Sequence, residues 1–234
     1  MIEYKNFSKS YGNKLAVKKL DLIVEDGDIC AFVGPNGAGK TTTLKATAGI
    51  LDFDDGDIII NNKSIISNPI ECKKEIAYLP DNPDLYEFLK GIDYLNFICD
   101  IYEINEERVN LIKKYSDMFE LTGFLGNTIN TYSHGMKQKL SIISALIHKP
   151  KVLLLDEPFV GLDPISSHKL KEVMKALTKD GVSIFFSTHV LEVAEKLCNK
   201  VAVIKDGELI IHDSMKKVIK DKSLEDLFME KVHE

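Results

Sequence analysis

The stretch Gly34-Pro35-Asn36-Gly37-Ala38-Gly39-Lys40-Thr41 constrains this chain more than any other. It follows an apolar run, Ile29 to Val33, and precedes a helix-compatible segment, Thr42 to Ala48. Its spacing, G-x-x-x-x-G-K-[ST], is that of a phosphate-binding loop set between a strand and a helix. Glycines let successive backbone N–H groups turn inward around a phosphate, Lys40 brings a positive charge to the terminal phosphates, and the Thr41 hydroxyl is a ligand type suited to Mg²⁺. The N-terminus of the following helix adds its own preference for an anion. A strand that is apolar nearly throughout belongs in a parallel sheet covered on both faces, so the loop already implies an α/β core.

The rest of the chain fits that core. The 234 residues are 44% hydrophobic, enough for a sizeable interior. Apolar runs such as Val152 to Leu155 fall far short of the ~20 residues a spanning helix needs, so a membrane role is expected to come through a partner. Met1 to Lys5 carries no basic-then-apolar pattern, and no secretory signal is expected. Cys30, Cys72, Cys99 and Cys198 lack any C-x-x-C spacing and read as reduced thiols of a cytosolic protein. A net charge of −6, with both signs mixed along the chain, argues against nucleic acid as a partner.

In chain order, Ile2–Phe7 and Leu20–Val24 alternate as half-buried strands around a turn at Tyr11-Gly12-Asn13. Ile58 to Ile60 is a further strand. From about Leu85 to Ile147 the pattern becomes helical: Ile92, Leu95, Ile98, Ile101 and Tyr102 share one spacing, and Asn105-Glu106-Glu107 predicts a helix N-cap followed by Val109, Ile112, Met118 and Phe119. Another helix is expected after Ser133-His134-Gly135. The α/β pattern resumes with a strand at Val152–Leu155, a helix at Ser166–Leu177, a strand at Ser183–Phe186 and a short helix at Val190–Leu197. Val201–Ile204 and Glu208–Ile211 flank Asp206-Gly207, a strong hairpin signal. The remaining tail reads as charged and helical at best.

Two carboxylates, Asp156 and Glu157, close the apolar strand Val152–Leu155, at the strand end where ligands bind in open α/β sheets. Asp156 suits a Mg²⁺ role, and Glu157 is placed to orient or deprotonate a water for in-line attack on a γ-phosphate. His189 likewise follows a buried strand, where a neutral imidazole can contact the γ-phosphate or hold the attacking water.

Gly34 to Thr42, Ser133-His134-Gly135-Met136-Lys137-Gln138, Leu153 to Pro158, Gly161-Leu162-Asp163-Pro164 and Ser187-Thr188-His189 together resemble, in order and rough spacing, an ATP-binding cassette (ABC) transporter ATPase. The resemblance covers nearly the whole chain. It implies an α/β fold: a P-loop NTPase core with a mainly parallel sheet, an N-terminal antiparallel β subdomain and an inserted α-helical subdomain. All of these form one domain over residues 1–234, with the helical part at about 85–147 and a short tail at about 213–234.

By position, the resemblance makes Tyr11 the aromatic that stacks on adenine, with Val17 beside the base. Asn36, Gly37, Ala38, Gly39, Lys40, Thr41 and Thr42 become the phosphate cradle. Thr41, Asp81 and Asp156 surround Mg²⁺, Glu157 is the catalytic base and His189 the switch histidine. Ser133, His134 and Gly135 stand where the family's L-S-G-G-Q signature completes the ATP site of a second subunit, so that two ATPs are sandwiched head to tail and Asp163 communicates between them.

Two departures stand out. Tyr132, His134 and Met136 replace three of the five signature residues, a variation similar to that of export-type cassettes. Asp81 replaces the usual glutamine of the Q-loop, although it remains a hard oxygen donor. The function implied is ATP hydrolysis by a cytoplasmic subunit, peripheral on the inner face of the membrane. It works as a dimer with a second copy or a paralogue, powers a separate transmembrane permease and leans toward export. Leu85 to Leu89 is expected to border the groove that receives the permease. The alternative is a soluble cassette ATPase regulating translation or DNA maintenance. Such relatives usually carry two cassettes, coiled coils or zinc modules, which this sequence lacks.

Overall fold

The computed structural model describes residues 1–220 and 222–233. Two sheets organise the chain. The first is antiparallel, in the order β2-β1-β4-β5, formed by β1 (Ile2–Tyr11), β2 (Lys14–Val24), β4 (Asp55–Ile60) and β5 (Lys63–Ser64). The second is six-stranded. It runs β10-β9-β3-β8-β7-β6 from β3 (Ile29–Val33), β6 (Ile76–Leu79), β7 (Val152–Asp156), β8 (Ser183–Thr188), β9 (Lys200–Lys205) and β10 (Glu208–Ser214). Its pairs are parallel except for the β9–β10 hairpin. The fold class is therefore the α/β arrangement expected, with the antiparallel sheet at the N-terminal side.

The uninterrupted apolar strands follow from burial on both faces. Along β3, Ala31 and Val33 join the core on the helical face, while Cys30 and Phe32 join the core under the antiparallel sheet. The same division holds for Leu153 and Leu155 against Leu154, and for Ile184 and Phe186 against Phe185. Phe185 meets Phe32 at a ring distance of 4.9 Å and lies 6.1 Å from Tyr4 of the antiparallel sheet, so the two sheets share one interior. At their junction the Tyr4 hydroxyl lies 2.6 Å from Thr47 Oγ1. Thr47 spends its single proton on the Thr43 carbonyl, so Tyr4 is the donor.

α1 (Lys40–Thr47) follows the phosphate loop and packs Leu44 and Ala46 into the core under the antiparallel sheet. The second face is covered by α6 (Pro164–Lys179) and α7 (Leu191–Leu197), which return between strands, and by α5 (His134–Ile147), which runs from the helical block into the sheet core. The block also holds α3 (Gly91–Ile101) and α4 (Arg108–Met118), which bury Leu95, Cys99, Ile112 and Tyr115. All four cysteines are free and buried.

Several expectations need correction. Leu85 to Leu89 is irregular rather than helical, and α3 begins only at Gly91, where Lys90 bridges to Thr128. Asn105 does not cap α4. The Asn105 carbonyl closes a turn onto Arg108 N–H, the helix starts at Arg108, and Val109 is 73% exposed. Helix α2 (Pro69–Glu75) and strand β6 were not anticipated: Pro at the first helical position suits α2, but its Glu71-Cys72-Lys73-Lys74-Glu75 run shows no apolar stripe. The tail is more structured than its charge suggests. α8 (Met215–Val218) and α9 (Leu224–His233) anchor it through buried Met215 and Leu224, and Leu224 N–H donates to Glu195 Oε2 at 2.9 Å.

Candidate active site

The loop between β3 and α1 turns on Gly39, whose φ of 110° is a left-handed conformation that favours glycine. A Cβ there would also meet the Ala16 carbonyl at 2.6 Å. The close approach brings β2 of the antiparallel sheet against the loop and forms one wall of a cleft of about 350 Å³. Tyr11, Lys14 and Ala16 line this wall. Asn36, Gly37, Gly39, Lys40, Thr41 and Thr42 form the floor, and Asp81, Asp156 and Glu157 form the far side. Ala38 is buried beneath the loop. Val17 is fully buried and packs under Gly39 rather than lining the cleft; its neighbour Ala16 occupies that position. The Asp206-Gly207 turn fastens the two walls: Lys18 N–H donates to the Gly207 carbonyl (2.8 Å) and Gly207 N–H to the Ala38 carbonyl (3.2 Å).

Lys40 is buried and donates from Nζ to the carbonyls of Gly34 (2.6 Å) and Pro35 (3.1 Å). Burial lowers its pKa, opposed by the charges of Glu157 and Asp156. Asp156 ends β7 opposite Ser187 of β8. Ser187 Oγ donates to Asp156 Oδ1 at 2.5 Å and accepts the Glu157 N–H at 3.1 Å, so one hydroxyl sets both carboxylate positions. Ser187 escaped the sequence reading as a site residue because only the β7–β8 register brings it there. Glu157 itself has φ 48°, a left-handed conformation uncommon for a side-chain-bearing residue and one that concentrates at functional sites. Its Oε1 lies 3.0 Å from His189 Nδ1, whose ring is 62% exposed. Asp81 is exposed, and its Oδ1 accepts the N–H of Asn82 at 2.8 Å.

Ser133, His134, Gly135 and Asp163 form a second constellation and do not line this cleft. Ser133 caps α5, its Oγ accepting Met136 N–H at 3.3 Å. The His134 ring lies against Gly161, where an added Cβ would meet its Cδ2 at 2.6 Å. Asp163 caps α6 by accepting Ser166 N–H and Oγ–H, both at 2.8 Å, and pairs with Lys139 Nζ at 2.8 Å.

The Lys139 ammonium, then the Ser166 N–H, hold the Asp163 carboxyl well below the usual carboxylate range. A folded-state pKa below the unfolded value of about 3.9 means that the pair stabilises the fold above that pH and stops doing so as pH falls through the folded value. Asp163→Asn keeps the cap and loses the charge. It is expected to unfold at lower urea at pH 7, by less than about 1 kcal/mol because the carboxylate is half exposed. The difference from the wild type should narrow as pH drops below about 4; a gap independent of pH would assign the loss to capping instead.

Comparison with known proteins agrees with this geometry. The family described as ABC transporter matches residues 17–160. The uncharacterized ABC transporter ATP-binding protein YhcH of Bacillus subtilis is 34% identical over 212 residues, covering 90% of this chain and 68% of that protein. A solved ATP-binding subunit of an ABC transporter is 30% identical, with a TM-score of 0.94 and 98% of each chain covered. A dimeric ATP-binding cassette in a post-hydrolysis state with ADP and Pi is 25% identical, with a TM-score of 0.83 over 92% of this chain and 99% of that one. With a phosphate loop, paired carboxylates and near-complete structural overlap in agreement, this chain belongs to the ABC transporter family as one of its ATP-binding cassettes.

Proposed function

We propose that this chain hydrolyses ATP as the nucleotide-binding subunit of a transporter, closing head to tail on a second copy or a paralogue to drive a separate membrane permease. The observation that carries the reading is the division of the site. Lys40, Asp156 and Glu157 share one cleft, with His189 against Glu157, whereas Ser133 and Gly135, at the start of α5, do not line it. A cleft completed by the α5 N-terminus of another subunit makes the γ-phosphate the bridge between two chains, because backbone N–H groups at a helix start favour an anion. Hydrolysis removes the bridge and lets the subunits part, an order of events similar to other nucleotide switches.

Within one subunit, Tyr11 offers its exposed ring to adenine, Lys40 and the loop amides neutralise phosphate charge, and Glu157 takes a proton from the attacking water while His189 orients it. Mg²⁺ fits the donor set. Asp156 Oδ2 is buried without a hydrogen-bond partner, and Thr41 and Asp81 line the same cleft. Among the described residues no cluster of three or more His, Cys, Asp or Glu side chains forms a metal cage. That suits a cation bound by one or two carboxylates together with substrate phosphates, whose charge it neutralises when bound.

Among the described residues no helix is long and apolar enough to cross a membrane; in this reading the spanning part is a separate subunit. Its docking surface is the exposed aromatic group Tyr86, Phe88 and Phe97 beyond Asp81. Export is favoured by the Tyr132-Ser133-His134-Gly135-Met136 signature and by Asp81. Affinity purification of the tagged chain from gently solubilised membranes is expected to recover a multi-span permease. Recovery of ribosomes in its place would overturn the transport reading.

A further inference from the structure

Two buried oxygens at the carboxylate end of the sheet lack hydrogen-bond partners: Asp156 Oδ2 and the hydroxyl of Tyr78. Buried polar atoms are nearly always paired, so such orphans mark a place for water or an ion. Their placement follows from register. β6 and β7 run parallel with Tyr78 opposite Leu154, and Asp156 follows Leu154 by two residues, so all three side chains leave the same face. Tyr78 packs its ring against the core on that face. The other Asp156 oxygen is committed to Ser187. Burial, and after it the charges of Asp156 and Asp81, raises the pKa of the Tyr78 hydroxyl and keeps it a proton donor.

We propose that Tyr78 is a positioning residue of the metal–nucleotide complex: its hydroxyl donates to a water shared with Asp156 Oδ2 and fixes the carboxylate for the cation. The proposal rests on the reading of Asp156 as a Mg²⁺ ligand. Mg²⁺ gives up its hydration water reluctantly, so a donor one water removed from its carboxylate has a partner in the loaded site. A buried water needs two or more polar partners, and Asp156 and Tyr78 supply an acceptor and a donor. Partners one step outside the ligand shell typically affect metal affinity by about 10- to 100-fold.

Tyr78→Phe removes only the hydroxyl oxygen and keeps the ring that packs against the core. ATP affinity is measured by equilibrium dialysis in EDTA and across a Mg²⁺ titration, with Asp156→Asn as a control that loses the response to metal. The variant is expected to match the wild type in EDTA and to need about 10-fold more Mg²⁺ for half of the metal-dependent gain. An unchanged Mg²⁺ requirement, or an equal loss of ATP affinity with and without metal, overturns the positioning role. Wild-type protein whose ATP binding ignores Mg²⁺ would overturn the metal reading itself, and the inference with it. Should the variant not fold, the wild type still decides. The chain has 8 tyrosines and no tryptophan, so protein absorption on the long-wavelength side of the adenine band reports tyrosine. Adding Mg²⁺ after ATP must perturb that signal, and a flat difference spectrum overturns the proposal.

Discussion

Glu157→Gln is expected to bring ATP turnover down by about 10²- to 10⁴-fold, the usual contribution of a positioned general base, while Mg-ATP binding persists. The substitution is nearly isosteric. The contacts that place residue 157 run through its backbone, where its N–H donates to Ser187 Oγ, so the left-handed turn and the Asp156 carboxylate stay as they are. What changes is the side chain 3.0 Å from His189, which loses both its proton acceptor and its negative charge. Removing that charge from beside a γ-phosphate favours the ATP-bound state, and blocking hydrolysis preserves the bridge between subunits. The variant should therefore elute as a dimer in Mg-ATP on a sizing column and as a monomer with ADP. A variant that hydrolyses at the wild-type rate would remove Glu157 from the chemistry, and one that stays monomeric in Mg-ATP would count against nucleotide-driven closure.

Lys40→Met should weaken ATP binding by about 10- to 150-fold, the equivalent of the 1.5–3 kcal/mol typical of a hydrogen bond to a charged group. Methionine keeps the apolar stem in its buried position and deletes the ammonium. Lys40 carries the one side-chain cation of the cleft floor, and with Asp156 and Glu157 facing it the cleft is net acidic without that charge. Phosphate then meets the Asp81, Asp156 and Glu157 carboxylates with the loop amides and, on the wall, Lys14 in opposition. Isothermal titration with ATP reads the loss directly. AMP, which lacks the β- and γ-phosphates the lysine addresses, should show a much smaller effect; an equal loss for both nucleotides would place Lys40 in a purely structural role.

The parts of this fold legible in the sequence are those whose physics is local. β3, β7 and β8 announce themselves because both faces are covered, so apolar residues run without alternation. The phosphate loop and the Asp156-Glu157 pair are legible because their chemistry depends on spacing along the chain. β6 was hidden because its four residues gain their meaning only from pairing with β7 at the sheet edge. Val17, expected beside the base, packs under Gly39 while Ala16 lines the cleft, for a related reason. Between Lys9 and Ser10 the β1–β2 register shifts, from Lys9↔Val17 to Ser10↔Leu15, so simple alternation along β2 no longer tells which residue faces the cleft. Ser187 and Tyr78 depend on strand registers that no spacing rule reports. The helical block shows the opposite error: Val109 fits an amphipathic pattern, yet α4 begins with it facing outward.

The Asp206-Gly207 turn looks in the sequence like an ordinary tight hairpin, the kind of site an engineer picks for an epitope tag or a fluorescent fusion. Here the turn is a poor choice. Gly207 has φ 82°, a Cβ on it would come within 2.8 Å of the Ala16 carbonyl, and its own N–H and carbonyl hold Ala38 and Lys18. Lengthening the turn would let the wall bearing Tyr11 drift from the floor bearing Lys40, with every residue of both intact. Protein engineering on this scaffold is better directed to the Glu103 or Asn61-Asn62 turns, which carry no such cross-links to the phosphate loop.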